Sequence, residues 1–240
     1  MWCTSGGITR VTPIGNSASV AHIAVGGGWT TSITLVNGGK APATATLNLY
    51  DNGGVPLKSM LSFPQGGSTD LTSSTVSLTL DVGAVAVIQA LGGVSDGTQV
   101  GSALLQTDGD VTGFGIFQQN SQNQIQEAVV PLETRTPGSF LLAFDNTSGY
   151  VTGAALSNLG REAATISVTI RDAAGGVLSR PSITLPSMGH TSFSVPTNYA
   201  VTDKIRGTIE FATPAGGHIS VLGLRFNPTG GFSSVPVSAK

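Results

Sequence analysis

An internal repeat constrains the fold of this chain more than any other feature of its sequence. Residues 29–57 align without a gap with residues 150–178, and the aromatic residues Trp29 and Tyr150 open the two segments. The identical pairs in this alignment are Thr31/Thr152, Leu35/Leu156, Asn37/Asn158, Gly39/Gly160, Ala43/Ala164, Thr44/Thr165, Asp51/Asp172, Gly54/Gly175 and Leu57/Leu178. A repeat of this length predicts that one structural unit occurs twice.

The similarity continues downstream and sets the boundaries of the two units. Residues 109–116 resemble residues 217–224, and each unit closes on a proline between aliphatic residues, at Pro131 and Pro236. The composition of the segment between the units is that of a short linker. The predicted units are a first repeat at residues 17–133, a linker at 134–138 and a second repeat at 139–240.

The segment at residues 1–16 precedes the first repeat. Its Val11-Thr12-Pro13-Ile14 resembles the closing strand of each unit, which favours the closing strand of an upstream repeat, although an unrelated N-terminal strand is an equal alternative. An orphan strand gains backbone hydrogen bonds by adding to an open sheet edge, so we expect association with neighbouring repeats or between copies of the chain. Residues 1–7 lack the basic and apolar regions of a signal peptide, so we expect a removed signal or a piece of a longer protein.

Alternating small or polar and apolar residues indicate β-strands in both units. The alternation is clear at residues 44–50 and 165–171, and each run leads into a turn that begins with an aspartate, Asp51 or Asp172. Turn signals recur at spacings typical of a sandwich. The sequence therefore predicts an all-β protein of two tandem immunoglobulin-like antiparallel β-sandwich domains.

The same alternation predicts which side chains form the cores. In the first repeat these are Ile33, Leu35, Leu47, Leu49, Val87, Leu105, Phe114 and Ile116. In the second they are Leu156, Val168, Ile170, Leu185, Phe193, Ile209, Phe211, Leu222 and Leu224. A strand whose register is shifted by one residue would expose its predicted core residues.

The composition of the chain narrows the classes of partner that it is expected to bind. Charged residues make up 10% of the 240 residues, against about 25% in an average soluble domain, and the net charge is −2. A weakly acidic chain without a basic run gives no reason to expect nucleic acid as a partner. No stretch approaches the roughly 20 apolar residues that cross a bilayer, so membrane insertion is not expected. Cys3 is the single cysteine, which leaves no partner for an intrachain disulfide.

Several short motifs carry a resemblance to a known repeat. They are Gly26-Gly27-Gly28-Trp29-Thr30-Thr31, Leu35-Val36-Asn37, Gly115-Ile116-Phe117-Gln118, Glu127-Ala128-Val129-Val130-Pro131-Leu132 and, in the second unit, Leu222-Gly223-Leu224-Arg225-Phe226-Asn227-Pro228-Thr229-Gly230. This pattern resembles a tandem β-sandwich repeat of large secreted proteins of soil bacteria such as Acidobacteria. The resemblance implies an exported, multi-module protein at the cell surface or outside the cell, and it implies no chemistry.

Catalytic and metal-binding signatures are weak. The three histidines, His22, His190 and His218, have no metal-ligand spacing and are interpreted as three independent residues. No cofactor or metal site is expected. A hydrolytic triad assembled in space from His190 or His218 with a serine and an aspartate remains a third hypothesis, because triads are recognised by geometry.

The repeated aromatic residues Trp29 and Tyr150 are the remaining binding candidates. Exposed rings could stack on sugars, whereas buried rings would close the ends of their own sandwiches. The leading hypothesis is thus a non-catalytic extracellular structural or adhesion module. A carbohydrate-binding module that uses Trp29 and Tyr150 is the alternative.

Overall fold

The computed structural model describes residues 16–66, 70–92, 97–121 and 124–240, and nearly all of its regular structure is antiparallel β. In the first half the strands are β1 (Asn16–Val25), β2 (Trp29–Asn37), β3 (Ala43–Asp51), β4 (Ser59–Ser62), β5 (Leu71–Ser73), β6 (Thr75–Leu80), β7 (Val85–Leu91), β8 (Gln99–Thr107), β9 (Val111–Ser121) and β10 (Gln124–Glu133). The closing strand predicted within the segment at residues 1–16 lies outside the described residues, apart from Asn16, where β1 begins.

The second half continues the same kind of structure after residues 134–138, where no strand is formed. Its strands are β11 (Ser139–Asp145), β12 (Val151–Asn158), β13 (Ala164–Asp172), β14 (Val177–Ser179), β15 (Ser182–Leu185), β16 (His190–Ser194), β17 (Arg206–Ala212), β18 (Ile219–Phe226), β19 (Phe232–Val235) and β20 (Val237–Ala239). The short helix α1 (Val195–Asn198) and one 3-10 turn, Ala200–Thr202, follow β16. Neither of these helices is long or apolar enough to cross a membrane.

The strands form three sheets. The first half is one sheet with the order β5-β4-β7-β2-β9-β10-β1-β8-β3-β6. Leu47 of β3 and Ile88 of β7 belong to one hydrophobic cluster although their strands are distant in this order, so the sheet folds over on itself as two packed layers. The second half has one sheet of order β14-β13-β17-β11-β20, with β15 also on β13, and one of order β16-β12-β18-β19.

Equivalent strands pair in the same way in the two halves. Strand β1 lies between β8 and β10, as β11 lies between β17 and β20. Strand β2 lies between β7 and β9, as β12 lies between β16 and β18. Strand β3 lies between β6 and β8, as β13 lies between β15 and β17. The halves differ most in β4 and β5, which form a hairpin in the first half.

The repeated threonine makes the same bonds in both halves. The Thr31 hydroxyl donates to the carbonyl oxygen of Ala24 at 2.8 Å and accepts the Ala24 backbone N–H at 3.0 Å. Thr152 does the same with Asp145, at 3.3 and 3.0 Å. In each half this side chain ties the first strand to the second, which gives the identity of the pair a physical reason.

The repeated asparagine also has the same role twice. The buried amide of Asn37 donates to the carbonyl oxygens of Ala41 and Leu80, and its oxygen accepts the backbone N–H of Gly39. Asn158 donates to the carbonyl oxygens of Glu162 and Pro186 and accepts from the N–H of Gly160 at 2.9 Å. Each asparagine therefore satisfies backbone groups of one turn and of a second segment.

Most of the predicted core is buried, with corrections in three strands. The predicted residues that are buried are Ile33, Leu35, Leu47, Leu49, Leu105, Leu156, Val168, Ile170, Leu185, Ile209, Phe211, Leu222 and Leu224. Phe114 is 38% exposed and Ile116 is half-buried, because β9 turns Phe117 inward instead. Val87 is half-buried because β7 turns Ala86, Ile88 and Ala90 inward. Phe193 is half-buried and lines a cleft.

The segment Asp108–Asp110 has the composition of a hairpin turn but does not close a hairpin. It joins β8, which pairs with β1 and β3, to β9, which pairs with β2 and β10. It is therefore a connection between strands that do not pair with each other.

Two strands pack the halves against each other. Every residue of β1 from Ala18 to Val25 is buried, and so is every residue of β12 from Thr152 to Asn158. A strand that is buried on both faces loses the alternation of a surface strand. Ala155 and Leu222 of the second half belong to the hydrophobic cluster of the first half, so the two halves share apolar packing.

Candidate functional site

Two histidines that are far apart in sequence meet between the halves. The Nδ1 atom of His22 lies 3.1 Å from Nε2 of His190. The Nδ1 atom of His190 lies 2.7 Å from the side-chain oxygen of Asn52, and the His190 backbone N–H donates to the Asn52 carbonyl oxygen. The expectation of three independent histidines is therefore wrong for His22 and His190, because packing of the halves places their strands side by side. His218 is exposed.

Burial keeps both rings of this pair neutral. Desolvation lowers the pKa of His22 to about 4. Desolvation, and then repulsion by a charged His22, holds the pKa of His190 well below its usual value. At neutral pH each ring therefore carries one proton.

The hydrogen bonds fix which nitrogen carries that proton. The oxygen of Asn52 can only accept, so Nδ1 of His190 is protonated and its Nε2 has a free lone pair. That lone pair accepts the Nδ1 proton of His22. His22 is thus left with an unprotonated Nε2, an acceptor with no partner among the described residues.

A turn of the first half supports the pair from the other side. Gly54 has a φ of 79°, and a Cβ atom at this position would collide with the carbonyl oxygen of Ser187. The turn that carries Asn52 therefore lies directly against the turn that precedes His190. The equivalent glycine of the second half, Gly175, also has a positive φ of 86° but faces open space.

An apolar cavity, called here the aromatic cleft, opens beside His22. Its volume is about 530 Å³. The side chains that define it come from both halves and are His22, Trp29, Phe117, Phe193, Phe226 and Phe232. No acidic, lysine or arginine side chain lies among its described lining residues.

Glycines and strand pairing assemble the aromatic wall. Gly26, Gly27 and Gly28 all have positive φ values, which lets the chain bend sharply before Trp29. The Trp29 ring centroid lies 5.8 Å from that of Phe117 and 5.7 Å from that of Phe232. The rings of Phe117 and Phe232 stack at 5.5 Å with 6° between their planes. One half thus supplies two of these rings and the other half the third.

The two candidate sugar-contacting residues do not share a site. Trp29 is half-buried in the wall of the aromatic cleft. Tyr150 immediately precedes β12, and the guanidinium carbon of Arg225 lies 3.6 Å from the centre of its ring. A cation–π contact therefore covers one face of Tyr150.

A second, polar cavity lies at the junction of the halves and is called here the junction cleft. It has a volume of about 320 Å³ and is lined by Tyr50, Gln106, Glu133, Arg135, Arg161 and His218, among others. Arg135 donates to both carboxylate oxygens of Glu133, at 2.8 and 2.9 Å. Burial alone would raise the pKa of Glu133, but the bonds from Arg135 lower it below its usual value.

The histidines do not form the constellations that hydrolysis or metal binding would need. His190 is bonded to Asn52 and His22 rather than to a serine and an aspartate. No side-chain hydrogen bond of His218 is found within the described ranges. The same ranges hold no group of three or more His, Cys, Asp or Glu residues placed to bind a metal ion.

Sequence reasoning missed the histidine pair and the aromatic cleft. The signal that could have indicated them is the run from Ala18 to Val25, which is apolar or small at almost every position. Such a run is typical of a strand that is covered on both faces. Its histidine would then be expected to have a buried partner.

Comparisons with known proteins add little to this geometry. No protein-family model and no curated protein sequence match the chain. Among solved structures, it is similar to an isomalto-dextranase of Arthrobacter globiformis T6 in complex with panose, at 13% identity and a TM-score of 0.26, over 81% of this chain and 34% of that one. It is also similar to a lectin of Pleurotus ostreatus, at 13% identity and a TM-score of 0.23, over 96% of this chain and 79% of that one. The chain spans about a third of the isomalto-dextranase, and at these TM-scores neither likeness carries an argument.

Proposed function

We propose that the chain is a non-catalytic structural module of an extracellular protein, made of two tandem immunoglobulin-like sandwiches held in one orientation. The repeated strand pairing and the repeated bonds of Thr31 and Thr152 support two sandwiches of common design. The observation that carries the proposal is the packing between the halves, where β1 and β12 are covered on both faces. A spacer needs such a fixed junction, because a flexible linker alone would let the domains reorient.

A distance measurement between the halves tests this proposal. Spin labels at Val82→Cys and Val177→Cys, two exposed positions in different halves, would be measured by pulsed electron paramagnetic resonance with Cys3 replaced by serine. A single narrow distance distribution is expected. The same labels should give a broader distribution with Gly54→Ala, which disturbs the contact with Ser187, but not with Gly175→Ala. A broad distribution in the parent chain would overturn the rigid module.

We further propose that such modules associate by their strand edges. Strand β6 ends its sheet and carries no charged side chain, so lysine or glutamate does not protect it from pairing. Sedimentation of the full chain beside a chain that starts at Ser17 tests the part played by the N-terminal segment. Concentration-dependent assembly should weaken when that segment is removed. Identical monomeric behaviour of both chains would exclude it.

Carbohydrate binding is the second candidate, and the junction cleft favours it. There the ring of Tyr50 lies beside polar side chains such as Gln106 and Arg161, a combination that suits the faces and hydroxyl groups of a sugar. Titration calorimetry with a set of oligosaccharides, repeated with Tyr50→Ala, tests it. Saturable binding that Tyr50→Ala removes and Tyr150→Ala retains would support the junction cleft. Binding that depends on Trp29 or Tyr150 instead would return the site to the rings predicted from the sequence.

A further inference from the structure

We propose that the aromatic cleft binds a small, flat, apolar molecule that donates one hydrogen bond to Nε2 of His22. This site goes beyond the structural function, because a rigid junction needs no cavity. The volume of about 530 Å³ falls within the range of small-molecule sites, which is roughly 300–1,000 Å³. Flat rings fit best because aromatic side chains, Trp29, Phe226 and Phe232 among them, make up much of the wall.

The acceptor nitrogen of His22 determines which polar group the ligand carries, namely a hydrogen-bond donor. The bond to Asn52 places the proton of His190 on Nδ1. Nε2 of His190 therefore accepts, which places the proton of His22 on its own Nδ1. The chain of bonds leaves Nε2 of His22 as an acceptor on a ring that lines the cleft. Among the nitrogens of the pair, only this one is still free to accept, so the group that it would bind is a ligand N–H or O–H.

The rest of the lining excludes other ligand classes. A carboxylate or phosphate would find no lysine or arginine among the described lining residues. A free sugar would bury several hydroxyl groups against phenylalanine rings, with Thr98, Ser192 and Ser194 as the few polar neighbours. An aromatic heterocycle or phenol with a single donor satisfies both the walls and the imidazole.

A matched pair of probes tests the hydrogen bond. Indole and benzofuran have nearly the same shape, but only indole has an N–H donor. Titration calorimetry of the full chain at pH 7.5 should show one indole per chain and benzofuran about tenfold weaker, as expected for an acceptor left without its donor. Equal affinities would overturn the proposed bond, and the absence of binding by both probes would overturn the site.

The variant His22→Asn tests the hydrogen bond to the ligand separately from the apolar fit of the cavity. An asparagine amide can replace the Nδ1 donor to His190 but offers nothing at the place of Nε2. Indole should then bind about as weakly as benzofuran, and the benzofuran affinity should stay within about twofold. Unchanged indole affinity in a folded variant would contradict the proposal.

A measurement on the unaltered chain covers the case in which this variant does not fold. Nitrogen NMR of ¹⁵N-histidine-labelled protein should show His22 protonated at Nδ1 and unprotonated at Nε2. Indole should shift the Nε2 resonance, and benzofuran should shift it far less. A proton on Nε2 in the free protein would overturn the assignment of the acceptor.

Discussion

His22 of β1 and His190 of β16 share a hydrogen bond of 3.1 Å although 168 positions separate them in the chain. Both rings are buried, and each comes from a different half. A buried polar pair of this kind is stable only while its partners are in place, because each ring would otherwise lose a bond that water can no longer supply. The pair therefore reports directly on how well the two halves are packed.

The pair makes stability depend on pH. Between pH 6.5 and about 4 the unfolded chain binds a proton at His22 that the folded chain does not. The contribution of His22 to the free energy of unfolding is therefore constant above pH 6.5 and falls below it. The loss should be about 1.4 kcal/mol for each pH unit, or about 3 kcal/mol by pH 4, from His22 alone. His190, whose pKa is lowered as well, adds to the loss. Urea unfolding at half-unit steps from pH 8 to 5 measures this slope.

The variant His22→Asn is the control for that slope, since carboxylates also begin to titrate at the acid end. The variant should be less stable than the parent at pH 8 and should show a shallower fall towards pH 5. If the parent and the variant lose stability in parallel, His22 does not contribute to the pH dependence.

Gly54 and Gly175 provide a matched test of the contact between the halves. Both have positive φ values, so alanine strains the backbone at either site by about 1 kcal/mol. Only Gly54 lies against Ser187, so Gly54→Ala should destabilise by at least 2 kcal/mol more than Gly175→Ala. Thermal unfolding of the two variants measures the difference. Equal effects would mean that the Gly54 turn does not touch the second half.

Substitution of Asn37 and of Asn158 tests whether these two equivalent residues contribute equally to the stability of the chain. Each buried amide satisfies three or more backbone groups, so alanine at either position leaves these groups without partners. Both variants should lose about 2 kcal/mol or more of unfolding free energy, by similar amounts. Chemical denaturation of Asn37→Ala and Asn158→Ala gives the two values. A large loss at one site and none at the other would show that the shared residues no longer have a shared role.

Local alternation predicted much of the fold, and in β9 it failed because glycine occupies an inward position. Strands β3 and β13 alternate small or polar with large apolar residues, and Leu47 and Val168 are buried as predicted. In β9 the inward positions include Gly115, next to the side chain of Val20, so the large residues Phe114 and Ile116 pointed to the wrong face. The size of the side chains in one strand does not reveal whether a residue of a facing strand fills the space beside them.

The candidate site could not be predicted from local patterns. The meeting of His22, His190 and Asn52 depends on how the halves pack, and no spacing in the sequence encodes that distance. The repeat does indicate Trp29 as a candidate binding residue, and Trp29 lies in the wall of the aromatic cleft. Its neighbour Phe232, however, lies in the other half, so the aromatic cleft exists only after the two halves have packed.

The central claim, that the two halves form one unit, is tested most directly by whether they unfold together. Pulse-labelling hydrogen exchange across a urea transition would follow peptides from Trp29–Asn37 of β2 and from Val151–Asn158 of β12 in the same sample. Shared packing predicts one midpoint for both strands, because loss of either half exposes the apolar surface of the other. Separate midpoints, with one half still protected while the other exchanges freely, would contradict the account.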